Sequence, residues 1–201
     1  MIHIFGDSHA EFNFKNIKYN NVKNNCQYSI TMHRIGRDKL NLSPYGVMNN
    51  DIIIYQIGEV DCRCHIGKQL LLGRHLNEII YELINNFINS IKDNLQKYNN
   101  LKIIVCCIPP TMNREYFENL HGPITHEFPF VGTNLERSNY TILMNEVLQK
   151  FCSENNFHFL NYYDDYTDIN GNLKIEYSDN ICYIYKNYII FVKLYNIVDN
   201  L

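Results

Sequence analysis

With 201 residues, 46% of them hydrophobic and 19% charged, the chain is too apolar for intrinsic disorder and of a length expected for one domain, 1–201. Its net charge of −3 gives no electrostatic footprint for nucleic acid or an anionic membrane surface. Apolar runs such as Leu101–Pro110 fall far short of the roughly 20 residues of a membrane span. The first element in chain order is a short apolar strand, Met1–Phe5, closed by Gly6-Asp7. No basic segment precedes it, so the expectation is a strand and not a leader peptide, in a cytoplasmic protein. Tyr28–Met32 reads as a second strand ending near Gly36. Asp51–Ile57 is a continuous β-branched run, the mark of a strand buried on both faces. From Leu70 to Tyr98, apolar residues recur at offsets of three and four, which predicts a long amphipathic helix. Leu101–Ile108 is another buried strand, stopped by Pro109-Pro110; after the long loop Thr111–Arg137, Glu136–Asn156 repeats the helical spacing and Phe157–Tyr162 reads as a fifth strand.

Strands alternating with helices, the strands too apolar to have a wet face, predict an α/β fold: a three-layer α/β/α sandwich around a five-stranded parallel sheet. Ligands of such open sheets bind at the carboxyl ends of the strands. Attention therefore falls on Gly6–His9, the region of Gly36, the segment Gly58–His65 and the long loop, whose length suits a lid or binding loop. The seven cysteines are odd in number and scattered, which predicts free thiols in a reducing compartment. Cys62-Arg63-Cys64 has no second pair in zinc register, so neither a metal nor a cofactor is expected.

The sharpest local feature is Gly6-Asp7-Ser8-His9 directly after the first strand. A serine just past a glycine at a strand end can project its hydroxyl into the cleft among backbone N–H groups, as a serine nucleophile requires. The same tetrapeptide also makes an ordinary turn or helix cap. Four ordered blocks, namely Gly6-Asp7-Ser8, Gly36, Gly58-Glu59-Val60-Asp61-Cys62-Arg63-Cys64-His65 and the segment around Asp179, make the chain resemble the SGNH (GDSL-type) hydrolases over nearly its whole length. The third block is nearest to the branch that reads Gly-Glu-Ile-Asp-Cys-Arg.

The resemblance implies a flavodoxin-like sandwich and hydrolysis or transfer of acyl groups, often acetyl groups on carbohydrate. The partner it implies is a carbohydrate or acylated small molecule; the oligomeric state stays open. By position Ser8 is the nucleophile, the N–H groups of Ser8 and Gly36 contribute to the oxyanion hole, and Asp179 orients the base. Asp7, His9, Asp61 and Arg63 are candidate oxyanion or substrate-binding neighbours. Two positions depart from the pattern. Val60 stands where the wider family has an oxyanion-hole Asn, with Arg63 or His65 as substitute donors. An ion pair Asp61–Arg63 that shapes the loop is the equal alternative. In the last block, Asp-x-x-His becomes Asp179-Asn180-Ile181-Cys182, and neither Cys182 nor Tyr183 is an easy base at neutral pH. His65 is the expected replacement base, with Asp61 four residues earlier to fix its tautomer; His121 and His126 are further candidates on the long loop. The competing expectation is a catalytically silent cleft that binds glycan or a partner, or one turned to other sugar chemistry.

Overall fold

The computed structural model describes residues 1–125, 127–180 and 183–201. Its five strands are β1 (Ile2–Gly6), β2 (Val22–Asn24), β3 (Ile52–Gln56), β4 (Lys102–Cys106) and β5 (His158–Leu160). They form one all-parallel sheet in the order β2-β1-β3-β4-β5. Successive side chains of a strand point to opposite faces, and here both faces are apolar. Phe5, Ile53, Tyr55, Ile103 and Val105 enter one core, and Ile4, Ile54, Ile104 and Cys106 the other.

Eight helices are described: α1 (Ser8–Phe14), α2 (Met32–Asp38), α3 (Ile66–Leu71), α4 (Leu76–Leu95), α5 (Arg114–His121), α6 (Asn134–Glu154), α7 (Tyr163–Tyr166) and α8 (Tyr188–Val198). Met32 and Ile35 of α2, the apolar stripe of α4, and Met144 and Leu148 of α6 cover the first face. Ala10 and Phe14 of α1 and Ile190 and Leu194 of α8 cover the second. The predicted sandwich is thus the observed one. Among the described residues no helix is long and apolar enough to cross a membrane.

The second strand is the main correction. Tyr28–Met32 is not a strand; the sheet uses Val22–Asn24, whose Val22 pairs with Ile2. Three residues with one apolar side chain carry no periodic signal, and the strand gains its place from its neighbour. Thr31 instead caps α2, its hydroxyl accepting from the Arg34 N–H at 3.0 Å. The helix predicted over Leu70–Tyr98 is divided between α3 and α4, broken at Gly73 with φ +81°, while Leu71 and Leu72 are exposed. The long loop carries α5 of its own.

Candidate active site

Strand β1 ends at Gly6, where a Cβ would sit 2.0 Å from the Gln56 carbonyl oxygen, so only glycine lets β1 and β3 end side by side. Asp7 follows in extended conformation and caps α1, its Oδ1 accepting from the His9 N–H at 2.9 Å. Ser8 is then the first residue of α1. Asp7 and His9 on either side are buried, while Ser8 is partly exposed. The first N–H groups of a helix have no intrahelical acceptor, which leaves that of Ser8 pointing out of the helix start. Among the described residues none hydrogen-bonds the Ser8 hydroxyl.

Beneath this start lies a buried ionic network. The His9 ring places Nδ1 3.4 Å from Asp7 Oδ1 and Nε2 3.6 Å from Glu59 Oε2. Both ring nitrogens therefore face carboxylates, which ties His9 to the scaffold. Arg63 Nε donates to both Glu59 oxygens, at 3.0 and 3.1 Å, and its Nη1 donates to the Phe128 carbonyl. Burial alone would push the Glu59 carboxyl up, but Arg63, His9 and Arg137 outweigh it and hold Glu59 below the ordinary carboxylate range. Arg137, fully buried, donates to the Gly132 carbonyl at 2.6 Å and lies over the Phe130 ring at 4.9 Å. Burial lowers its pKa to about 10. Sequence reasoning did not reach Arg137, whose helix-start position carries no motif. Glu59 carries no signal of its own beyond its place in the third block.

The last block reaches this network from the other side. Asp179 and Tyr183 are joined by two hydrogen bonds, Asp179 N–H to the Tyr183 carbonyl at 3.2 Å and Tyr183 N–H to Asp179 Oδ1 at 3.1 Å. The Tyr183 ring stacks on Phe12 with centroids 4.2 Å apart and meets His9 edge-on at 5.0 Å. Cys182, at the position of the missing histidine, and His126 lie outside the described residues. The long loop closes over both sides: Tyr116 and His121 of α5 bond Asn180, and Val131 N–H donates to the Arg63 carbonyl.

Four expected placements differ from the structure. Gly36 is not at a strand end but is the fifth residue of α2, where the helix's own carbonyl takes its N–H. Its hydrogen faces α4, and a Cβ there would lie 2.7 Å from Asn86 Cβ and 3.2 Å from the Asn86 carbonyl carbon. Gly36→Ala is accordingly expected to lower stability: overpacking against backbone costs about 1–3 kcal/mol, more than the ~1 kcal/mol gained in helix propensity, and urea unfolding would read it. Asp61 is fully buried and accepts from the N–H groups of Met32 (2.7 Å) and His33 (3.3 Å), so it caps α2 and does not face His65. Burial raises its pKa to about 7, despite those two donors, and neighbouring Asp7 and Glu59 add to the rise. The partner of Arg63 is Glu59 and not Asp61. His65 stacks near His33, ring centroids 4.5 Å apart, and burial, helped by His33, Arg74 and Lys68, lowers its pKa to about 4.

No protein-family model and no curated protein sequence matches the chain. Solved structures do. A Streptococcus pneumonia protein provisionally assigned as a platelet activating factor is 19% identical, with a TM-score of 0.67 over 99% of this chain and 82% of its own. A GDSL-like lipase from Bacteroides thetaiotaomicron is 14% identical, TM-score 0.64, over 99% and 87%. An acetyl xylan esterase is 16% identical, TM-score 0.57, over 98% and 100%. The chain therefore has the fold of the SGNH, or GDSL-type, hydrolases.

Proposed function

We propose that the protein is an ester hydrolase or acyltransferase acting on O-acyl groups, chiefly O-acetyl groups, of a carbohydrate, with Ser8 as nucleophile. The observation that carries this is the placement of Ser8: partly exposed, first in α1 at the carboxyl end of β1, between two buried residues of an ionic network. In the reaction the Ser8 oxygen bonds the acyl carbon while its proton passes to a base. The negative charge that develops on the carbonyl oxygen is met by the Ser8 N–H. The carbon–oxygen bond to the sugar then breaks, the sugar oxygen takes the proton, and water or a second hydroxyl displaces the acyl group from Ser8. Asp7, His9, Glu59 and Arg63 are positioning residues that fix the start of α1 and the loop after β3.

The general base is the weak point of the constellation. His65 stays neutral at pH 7, yet with a pKa near 4 it holds a transferred proton poorly. Asp179 belongs to a block whose histidine position is Cys182. Slow turnover is therefore expected. The second reading, a silent binding cleft, is favoured by the lack of any imidazole on the Ser8 hydroxyl among the described residues. The deciding experiment is turnover of p-nitrophenyl acetate and of an acetylated sugar, together with labelling by a fluorophosphonate. Ser8→Ala should abolish both the turnover and the mass increment. Turnover retained in Ser8→Ala would end the serine-enzyme reading.

A further inference from the structure

Between α2 and the helical turn Asp61–His65 opens a cavity of about 240 Å³, lined by Thr31, His33, Arg34, Arg37, His65 and Lys68 among others. That is many times the ~10–15 Å³ one water needs, room for a small polar ligand. A short stretch of chain links the cavity wall to the end of β1: Gln27 N–H donates to the Gly6 carbonyl at 2.8 Å, and Ser29 and Thr31 of the wall follow two and four residues later.

That wall is cationic in a chain of net charge −3. Arg37 is neutralised by Asp38, to which it donates at 2.6 and 2.7 Å. Among the described residues Lys68 Nζ has only a neutral acceptor, the Glu127 carbonyl at 3.0 Å. The Arg34 guanidinium makes no hydrogen bond or close ion pair among the described residues, and the Asp38 carboxylate that feels its charge is already engaged by Arg37. Glu127 is the single carboxylate on the described wall. The imidazole rings of His33 and His65 lie on the same wall with centroids 4.5 Å apart, tilted by 31°. The depressed pKa of His65, set by burial and then by neighbouring cations, agrees with a site whose counter-charge comes from outside. An oxyanion would receive a forked donor pair from Arg34 and further donors from Lys68 and the imidazoles.

We infer that this cavity is an anion subsite, binding the carboxylate or phosphate group of the acylated sugar on which Ser8 acts. The subsite itself stands on the cavity's geometry; only its link to an acyl ester rests on the esterase reading. The test is the rise in thermal midpoint of the wild-type chain with inorganic phosphate, with glucuronate and with glucose, at ionic strength held constant with chloride. Phosphate or glucuronate should raise the midpoint and glucose should not, and whichever anion acts identifies the acidic group. Arg34→Gln combined with Lys68→Gln should weaken the effective anion at least tenfold, and both side chains are exposed, so the variant folds. If neither anion acts, or if the double variant responds as the wild type does, the inference is overturned. Anion binding alongside turnover that survives Ser8→Ala would keep the subsite and remove the esterase reading. Ser8-dependent turnover without anion binding would do the reverse.

Discussion

Replacing Cys182 by histidine is expected to raise turnover of an activated acetyl ester by about 10²–10⁴-fold, the usual worth of a positioned general base. The substitution completes an Asp-x-x-His block starting at Asp179, the spacing by which a GDSL-type last block supplies base and orienting carboxylate. The framework for it is present. Asp179 and Tyr183, on either side in sequence, are hydrogen-bonded to each other, and the Tyr183 ring rests on Phe12 and His9 of the helix that Ser8 begins. A serine hydroxyl without a base is a poor nucleophile; in a worked serine-protease case, loss of the histidine costs roughly 10⁶ in turnover. The increase should appear in kcat, follow a titration near pH 6.5 that the wild type lacks, and vanish in Cys182→His combined with Ser8→Ala. A folded Cys182→His protein with wild-type rates would show that the last block is not aimed at Ser8.

How far the sequence revealed the fold depends on where each signal comes from. Asp51–Ile57 and Leu101–Ile108 are apolar at consecutive positions because both faces of a central strand are covered, and that reads directly. Val22–Asn24 is an edge strand held by pairing with β1, which leaves no mark in its own residues. Tyr28–Met32 has strand-like composition, yet the Thr31 hydroxyl and the distant Asp61 carboxylate draw the chain into α2 there. The segment Gly58–His65 was legible as a wall of the site, but its pairings were not. Arg63 joins Glu59, one helical turn earlier, because residues two apart on a helical turn do not face each other. Asp61 and His65 have suitable spacing, but each is claimed by α2, one through its backbone and the other through His33. Spacing alone cannot reveal such tertiary competition.

The Glu59–Arg63 pair yields the largest expected effect on stability. The Glu59 side chain is 2% exposed and that of Arg63 10%, so Arg63→Ala leaves a carboxylate in the interior with His9 as its nearest counter-group. Removing one partner of a buried pair costs about 3–5 kcal/mol, most of it the uncompensated charge. The loss extends beyond the pair, because the bond from Arg63 to the Phe128 carbonyl goes and the Phe130 ring loses one of the two guanidinium groups against it. Against a typical total of about 5–15 kcal/mol, such a loss brings the chain near the limit of folding. Urea unfolding should show it as a lower midpoint, and Arg63→Lys should restore only part, since an ammonium cannot span both Glu59 oxygens and Phe128. Arg63→Met combined with Glu59→Gln should be more stable than Arg63→Met alone, because the Glu59 carboxylate is then not left buried without its guanidinium. The pH dependence separates this account from simple loss of packing. In the wild type Glu59 is held below its unfolded pKa, so its contribution is present above that pKa and is lost as pH falls through the lower, folded value. Without Arg63, burial raises the folded pKa of Glu59 above the unfolded one, and the folded state then binds the extra proton. The deficit of Arg63→Ala relative to wild type should therefore shrink as pH is lowered from 7 to 5. A deficit below about 1 kcal/mol, or one that does not change with pH, would mean that Glu59 finds another counter-charge when Arg63 is gone.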